Sequence, residues 1–403
     1  MVIGPPLAQF EPPFFVFDVG ALRSRFRAFE AAFRARFASV VIGYSYKTNY
    51  LPALCRVLHE LGAHAEVVSR LELTLAERLG VPSDWIIYNG PAKRHEDIVY
   101  ALDLGCRLNL DSVTELESAA QYASQKPANE IAIGLRITPK RARPQDQPCS
   151  RFGIDLEGPA LQRTLEILAG VPNLRVRGLQ VHYSDRERGV GALADNCETI
   201  VGAHHLLSLG KIDYIDVGGG FGYAPPSMRG ALQFPTDDEY AQAIADALPH
   251  SLVAGATVIA EPGISLAGSA MSFFAPVRAI KVDRGRLLAV VDGGIHNVRP
   301  TKHRVPLPVT ALDASFHVKS GPLRVYDVVG YTCMEDDFLA ARCELPELQV
   351  GDVLQFDQVG AYTIVFTPPF IRPAPSIVAV DGDRAAVVRR EQRFEDIFSG
   401  YEH

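Results

Sequence analysis

Four features of this chain have the residue types and positions to do chemistry: a lysine, a histidine, a glycine run and a glutamate, each closing an apolar stretch. Lys47 lies in Tyr44-Ser45-Tyr46-Lys47-Thr48-Asn49, directly after Ser39-Val40-Val41-Ile42-Gly43. A β-branched run that stops at polar residues reads as a buried strand reaching its carboxyl end. A rigid, partly desolvated amine there is suited to forming a Schiff base with a carbonyl, the alternative being a lysine that caps a strand in solvent. His182 ends Gln180-Val181-His182, and Glu261 ends Ile259-Ala260-Glu261. Asp216-Val217-Gly218-Gly219-Gly220-Phe221-Gly222 follows another apolar run, and successive glycines let backbone N–H groups approach an anion. The run lacks the spacing of a dinucleotide fingerprint. Taken singly, each feature also reads as a polar core residue or a flexible turn.

Together, an amine, an imidazole, a carboxylate and a phosphate nest on one rim match the needs of pyridoxal phosphate. A lysine bonds the aldehyde, an imidazole stacks on the ring, a carboxylate keeps the ring nitrogen protonated and glycines hold the phosphate.

Positioning them requires strands that end on a common face. Eight apolar runs alternate with helix-like segments: 40–44, 64–68, 85–88, 107–110, 131–137, 176–182, 214–217 and 258–261. Leu51–Leu61, Arg70–Leu79, Val113–Ser124 and Asp195–Leu209 carry apolar residues at helical spacing. This predicts a (β/α)8 TIM-like barrel over 36–275, in which the glycine run follows the seventh strand, where barrels commonly bind phosphate. After Ala275, short β-branched runs separated by Gly, Pro and Asp turns predict an all-β domain. It comprises 1–35 and 276–403, since Phe14-Phe15-Val16-Phe17-Asp18 reads as a strand outside the repeat, with Asp18 capping a helix that starts near Ala21. Pro139–Pro148 reads as a loop, and 394–398 as a terminal turn or helix.

At 403 residues, with 47% hydrophobic and 22% charged residues, the chain is of ordinary globular composition and long enough for two domains. A net charge of −7 without a basic tract argues against nucleic-acid binding. Phe14–Phe17 is too short for a signal or membrane helix, which leads to the expectation of a cytoplasmic protein. The six cysteines are scattered without C-x-x-C pairs, predicting reduced thiols and neither a disulfide scaffold nor a metal site.

The ordered motifs resemble those of the fold-type III pyridoxal-phosphate decarboxylases, the diaminopimelate and ornithine decarboxylase family. Tyr46-Lys47-Thr48-Asn49 is similar to the cofactor-lysine motif. Ala65-Glu66-Val67-Val68-Ser69, Asn89-Gly90-Pro91 with Lys93, and Ser150-Arg151-Phe152-Gly153 are similar to the motifs that follow it. The glycine nest, Glu261-Pro262-Gly263, Cys333-Met334-Glu335-Asp336-Asp337 and Gly360-Ala361-Tyr362 complete the order. The resemblance implies Lys47 as the Schiff-base lysine, His182 as the ring-stacking residue and Glu261 as the partner of the ring nitrogen. It implies Gly218, Gly219, Gly220 and Tyr362 on the phosphate, and a homodimer in which Cys333 enters the partner's site and protonates the product. Two departures concern the phosphate: Ser184 and Asp185 stand where the family has Gly and Ser, and Ile264 stands where it has Arg. Backbone amides, Tyr362 and Ser184 or Ser265 are left for that role.

For the substrate's far end, Glu335, Asp336 and Asp337 suit a distal ammonium, as in lysine or ornithine. His296 and Arg299, leading into Lys302, His303 and Arg304, suit a distal carboxylate, as in diaminopimelate or a citrate-linked siderophore precursor. The second reading is preferred. An amino-acid racemase and a noncatalytic pyridoxal-phosphate carrier are the other classes; Glu261 speaks against the first, and the β domain with Cys333 against the second.

Overall fold

The computed structural model describes residues 7–139, 150–185, 187–225, 233–299 and 307–402. The chain forms two compact units, one of Phe26–Ala224 with Leu232–Gly263 and one of Met1–Arg25, Pro225–Ala231 and Ile264–His403.

After β1 (Phe14–Asp18), which belongs to the second unit, eight parallel strands close a barrel in sequence order. They are β2 (Val40–Ser45), β3 (His64–Val67), β4 (Ile86–Tyr88), β5 (Arg107–Leu110), β6 (Ile131–Arg136), β7 (Leu174–Gln180), β8 (Tyr214–Asp216) and β9 (Thr257–Ala260), with β9 pairing back onto β2. These strands overlap each of the eight runs seen in the sequence. Ser-x-x-Glu signals start two of the intervening helices: Ser69 Oγ accepts from Glu72 N at 3.2 Å and Ser112 Oγ from Glu115 N at 3.2 Å, capping Arg70–Arg78 and Val113–Ser124. Inside the barrel Tyr214 lies across β6 and β7, and a Cβ at Gly178 would stand 2.0 Å from its ring. Only glycine leaves room for that tyrosine, whose hydroxyl takes part in the site below.

The second unit is a sheet in the order β14-β13-β11-β10-β1-β16-β17, with β15 pairing both β10 and β12. Its strands are β10 (Met271–Asp283), β11 (Arg286–Val291), β12 (Val309–Leu312), β13 (Leu323–Val329), β14 (Phe338–Pro346), β15 (Val353–Asp357), β16 (Ser376–Asp381) and β17 (Arg384–Arg389). β1 lies antiparallel to β10 and parallel to β16. Phe14 stacks on Phe274 and Phe316 at 5.3 and 5.9 Å between centroids. Fully burying such a ring contributes roughly 2–3 kcal/mol, which commits the N-terminal strand to this sheet. Asp18 Oδ1 accepts from Ala21 N at 2.8 Å and starts the helix Val19–Arg34.

The unit boundaries fall at 25/26 and 263/264, earlier than 35/36 and 275/276. A cut at 275/276 would divide β10, whose first residues already pair with β1 and β15. β14 carries register shifts against β13 that break its alternation, and β17 is a largely exposed edge. Residues 394–398 form a short helix, and 140–148 of the expected loop lie outside the described residues. No helix among the described residues is long and apolar enough to cross a membrane.

Candidate active site

Lys47 stands in the turn Tyr46–Thr48, immediately after β2. Its amine donates to Glu66 and, at 3.3 Å, to Ser45 Oγ. Burial pushes the Glu66 carboxyl up, but the Lys47 ammonium and hydrogen bonds from Lys47, Ser45 and Asn89 outweigh it and hold the group below its usual range. Asn89, just past β4, spends one amide hydrogen on Glu66 Oε1 at 3.1 Å and the other on Glu261 Oε1. Its Oδ1 accepts from Asn109 Nδ2 at 2.7 Å, and Asn109 Oδ1 accepts from the Tyr214 hydroxyl at 2.7 Å. A continuous polar chain therefore runs from Lys47 through Glu66 and Asn89 to Glu261, braced from the barrel interior.

Glu261 follows β9 and is buried. Burial, then the neighbouring Asp216 and Glu66, raise its carboxyl well above the usual range. Burial likewise pushes Asp216 up to about 7. Asp216 Oδ1 accepts from Gly218 N at 3.0 Å, while Oδ2 meets no donor among the described residues other than the Glu261 carboxyl. Two carboxyls can bond only through a proton, so the raised values of both favour one shared between them.

His182, two residues past β7, accepts the Gly219 N–H on Nδ1 at 2.8 Å, which places its proton on Nε2. Burial, with Lys47 and Arg136 nearby, lowers it to about 3, so the imidazole is neutral. Gly218 and Gly220 adopt φ of 72° and 101°. A Cβ at Gly218 would stand 2.7 Å from His182, one at Gly219 2.6 Å from the Glu261 carbonyl and one at Gly220 2.6 Å from Ser184. The sequence reading expects all three glycines on the phosphate; in this structure Gly218 N donates to Asp216 and Gly219 N to His182. Gly220 N remains, and the run's main service is to let His182, Ser184 and Glu261 close around it. Ion pairs complete the rim: Arg136 with Asp111 at 3.0 Å and Lys93 with Glu115 at 2.8 Å, all four side chains buried.

The remaining expected residues belong to the β unit. Asp337 is buried; its Oδ1 accepts from Ile295 N at 2.6 Å and its Oδ2 from Thr332 N and Oγ1 at 2.9 and 2.6 Å. Expected with Glu335 and Asp336 to suit a substrate ammonium, this carboxylate ties the His296 turn to the Cys333 loop with both of its oxygens. His296 Nε2 meets the Tyr331 hydroxyl at 3.3 Å, and Nδ1 has no partner among the described residues. Arg299 is half-buried, and its Nε also lacks a partner among the described residues. Cys333, Met334, Glu335 and Asp336 are exposed, and Tyr362 is half-buried with φ 54°. Lys302, His303 and Arg304 lie outside the described residues. Cys55, Cys106 and Cys197 are buried free thiols, Cys343 is half-buried and Cys149 is outside the described residues.

Sequence reasoning assigned no role to Asn109, Tyr214, Asp216, Arg136, Asp111 or Glu115, and quoted Glu66, Asn89 and Lys93 only as motif residues. The available signal was a polar residue inside or just past an apolar strand, as in Leu108-Asn109-Leu110.

These barrel residues fit pyridoxal phosphate: an amine at a strand end, a neutral imidazole face, a carboxyl pair holding a proton for a ring nitrogen, and a backbone turn where side chains are excluded. The comparisons agree. Residues 19–268 match the family model described as pyridoxal-dependent decarboxylase, pyridoxal binding domain. Diaminopimelate decarboxylase of Aquifex aeolicus is 28% identical over 97% of this chain and 92% of that protein, and that of Bacillus subtilis is 26% identical over 96% and 91%. The crystal structure of a diaminopimelate decarboxylase from M. jannaschi has the same fold, with a TM-score of 0.86 at 23% identity over 97% of this chain and 92% of that one. A lysine/ornithine decarboxylase from Vibrio vulnificus, complexed with cadaverine, gives 0.72 at 25% identity over 90% of each chain. The chain belongs to the pyridoxal-dependent decarboxylases and is a carboxy-lyase that acts on an amino acid with pyridoxal phosphate as its cofactor.

Proposed function

We propose that the protein removes the α-carboxylate of an amino acid that carries a second, distal carboxylate, with diaminopimelate or a citrate-linked diaminopropionate as the substrate types. The observation that carries this reading is Arg299, whose half-buried guanidinium keeps an Nε with no hydrogen-bond partner among the described residues. Burial lowers its pKa, so the charged form lacks compensation that an incoming carboxylate would supply. His296 Nδ1, in the turn just before it, is likewise unpartnered. The lysine or ornithine reading loses Asp337, whose oxygens are engaged.

When bound, pyridoxal phosphate supplies an aldehyde for amines and a ring that accepts the electron pair left by carbon dioxide. The chain's own residues do the rest. Lys47 presents the capturing amine, aimed by its contact with Glu66. The Asp216–Glu261 pair keeps a proton on the rim, and Cys333 gives one to Cα after the carboxylate has left. Because that thiol is exposed on its own chain and a proton donor needs shielding, the reading includes a cytoplasmic homodimer in which Cys333 enters the partner's site. Buried free thiols are consistent with a reducing compartment.

Carbon dioxide release from diaminopimelate, citrate-linked diaminopropionate, lysine and ornithine tests the substrate. A substrate with a distal carboxylate should give the highest kcat/KM, and Arg299→Gln should raise its KM by roughly 10–100-fold. A preference for lysine or ornithine would overturn the reading. Mixing Lys47→Ala with Cys333→Ala chains tests the shared site: random pairing should restore about 25% of activity, and no recovery would exclude it.

A further inference from the structure

The phosphate of the cofactor is a dianion, and a dianion on a partly buried rim needs a cation. Among the described residues the rim's cations are already committed: half-buried Lys47 to Glu66, and buried Lys93 and Arg136 to Glu115 and Asp111. Two of the three glycine amides are engaged as well, and Ile264 follows Glu261-Pro262-Gly263.

The segment after β7 lies against the glycine run at both ends. Asn196 Nδ2 donates to Tyr183 O at 3.0 Å and to Val217 O at 3.5 Å, joining the two loops near their strands. Five residues on, the Tyr240 hydroxyl donates to Arg188 O at 2.6 Å while accepting from Gly222 N at 3.1 Å. Arg188 is thus one tyrosine oxygen away from the last glycine of the run, and between these two ties Ser184 packs on Gly220. Arg188 holds a left-handed backbone, φ 53°, which is uncommon for a residue with a side chain and is maintained here by the Tyr240 bond. The residue is half-buried, and its guanidinium makes no ion pair or hydrogen bond with any described residue. Its charge reaches the neighbouring side chains, contributing to the lowered pKa of His182 after burial, Lys47 and Arg136.

We propose that Arg188 is the cation that binds the cofactor phosphate, with Gly220 N and Ser184 beside it, in the place left by the absence of an arginine at position 264. The loop after the sixth barrel strand thereby does the work that the turn after the eighth does not. The inference rests on the pyridoxal-phosphate reading, and its test separates the two by comparing the cofactor with its phosphate-free form.

Pyridoxal 5′-phosphate and pyridoxal are titrated into the cofactor-stripped full chain, following the visible absorbance of the Lys47-bound aldehyde. The wild type should bind both, which checks the lysine, and should prefer the phosphorylated form. Arg188→Gln should weaken pyridoxal 5′-phosphate by roughly 10–100-fold and leave pyridoxal unchanged, so that the preference ratio falls by that factor. Arg188→Lys, keeping the charge without the planar fork, should give an intermediate ratio. A ratio equal to that of the wild type in both variants, whether through no loss or through parallel loss of both ligands, would overturn the assignment. Failure of the wild type to bind pyridoxal at Lys47 would instead overturn the cofactor reading beneath it.

Discussion

The barrel rim and the Cys333 loop carry chemistry in opposite ways. On the rim, Lys47, Glu66, Asn89, Glu261 and Asp216 form one hydrogen-bonded chain, and the buried cations beside it are each matched to a carboxylate. In the β unit, Asp337 anchors the base of the loop by gathering Ile295 and Thr332, while Cys333 through Asp336 stay exposed. The rim is preorganised by its own unit, so its charges are already set against one another before any ligand arrives. The loop is positioned by its own unit and shielded by none of it.

The comparison can be broken most decisively at Lys47. Lys47→Ala should abolish turnover and the visible absorbance of the bound cofactor, measured by carbon dioxide release and spectrophotometry; retention of both would remove it from the mechanism. Cys333 and Asp337, four residues apart, should separate chemistry from support. Cys333→Ala should slow or misdirect product protonation by about 100-fold while changing stability by no more than about 0.5 kcal/mol. Asp337→Ala, which orphans three donors at a buried position, should cost about 3 kcal/mol in a denaturant titration. Equal losses of stability in the two variants would erase the distinction between the exposed tip and the anchored base.

The smallest effect concerns the shared proton. Folded-state pKa values of Asp216 and Glu261 lie above their unfolded values, so the pair's contribution is present at low pH and is lost as pH rises through about 7. His182 works in the other direction: its folded value near 3 lies below the unfolded one, so stability is lost as pH falls from about 6.5 toward 3. Asp216→Asn keeps an acceptor for Gly218 N and offers Glu261 a permanent donor. In the cofactor-free chain it should raise Tm at pH 8 by a few degrees and flatten the decline between pH 6 and 8, with the loss below pH 6 retained. An unaltered profile would mean that no proton is shared.

Much of this was legible in the sequence because period and residue type carry it locally. The eight barrel strands, the strand-end positions of Lys47, His182 and Glu261, the Asp18 cap and the N-terminal strand's separate allegiance follow from apolar runs and their polar stops. β14 and β17 were illegible because a bulged strand and an exposed edge have no regular alternation. The second circle of the site was illegible for another reason. Asn89 and Asn109 are 20 residues apart, and Asn109 and Tyr214 are 105, so nothing in their spacing announces a hydrogen bond.

Sequence by itself therefore determined the barrel, the family and the residues that would meet a cofactor, since each depends on a strand ending where a polar residue begins. Only the tertiary structure decided which of their atoms are already occupied. It gave two glycine amides to Asp216 and His182, engaged Asp337 in the loop it supports and left Arg188 without a partner among the described residues. Those outcomes depend on distances of a few ångströms between residues remote in the chain, and closing the barrel is what sets such distances.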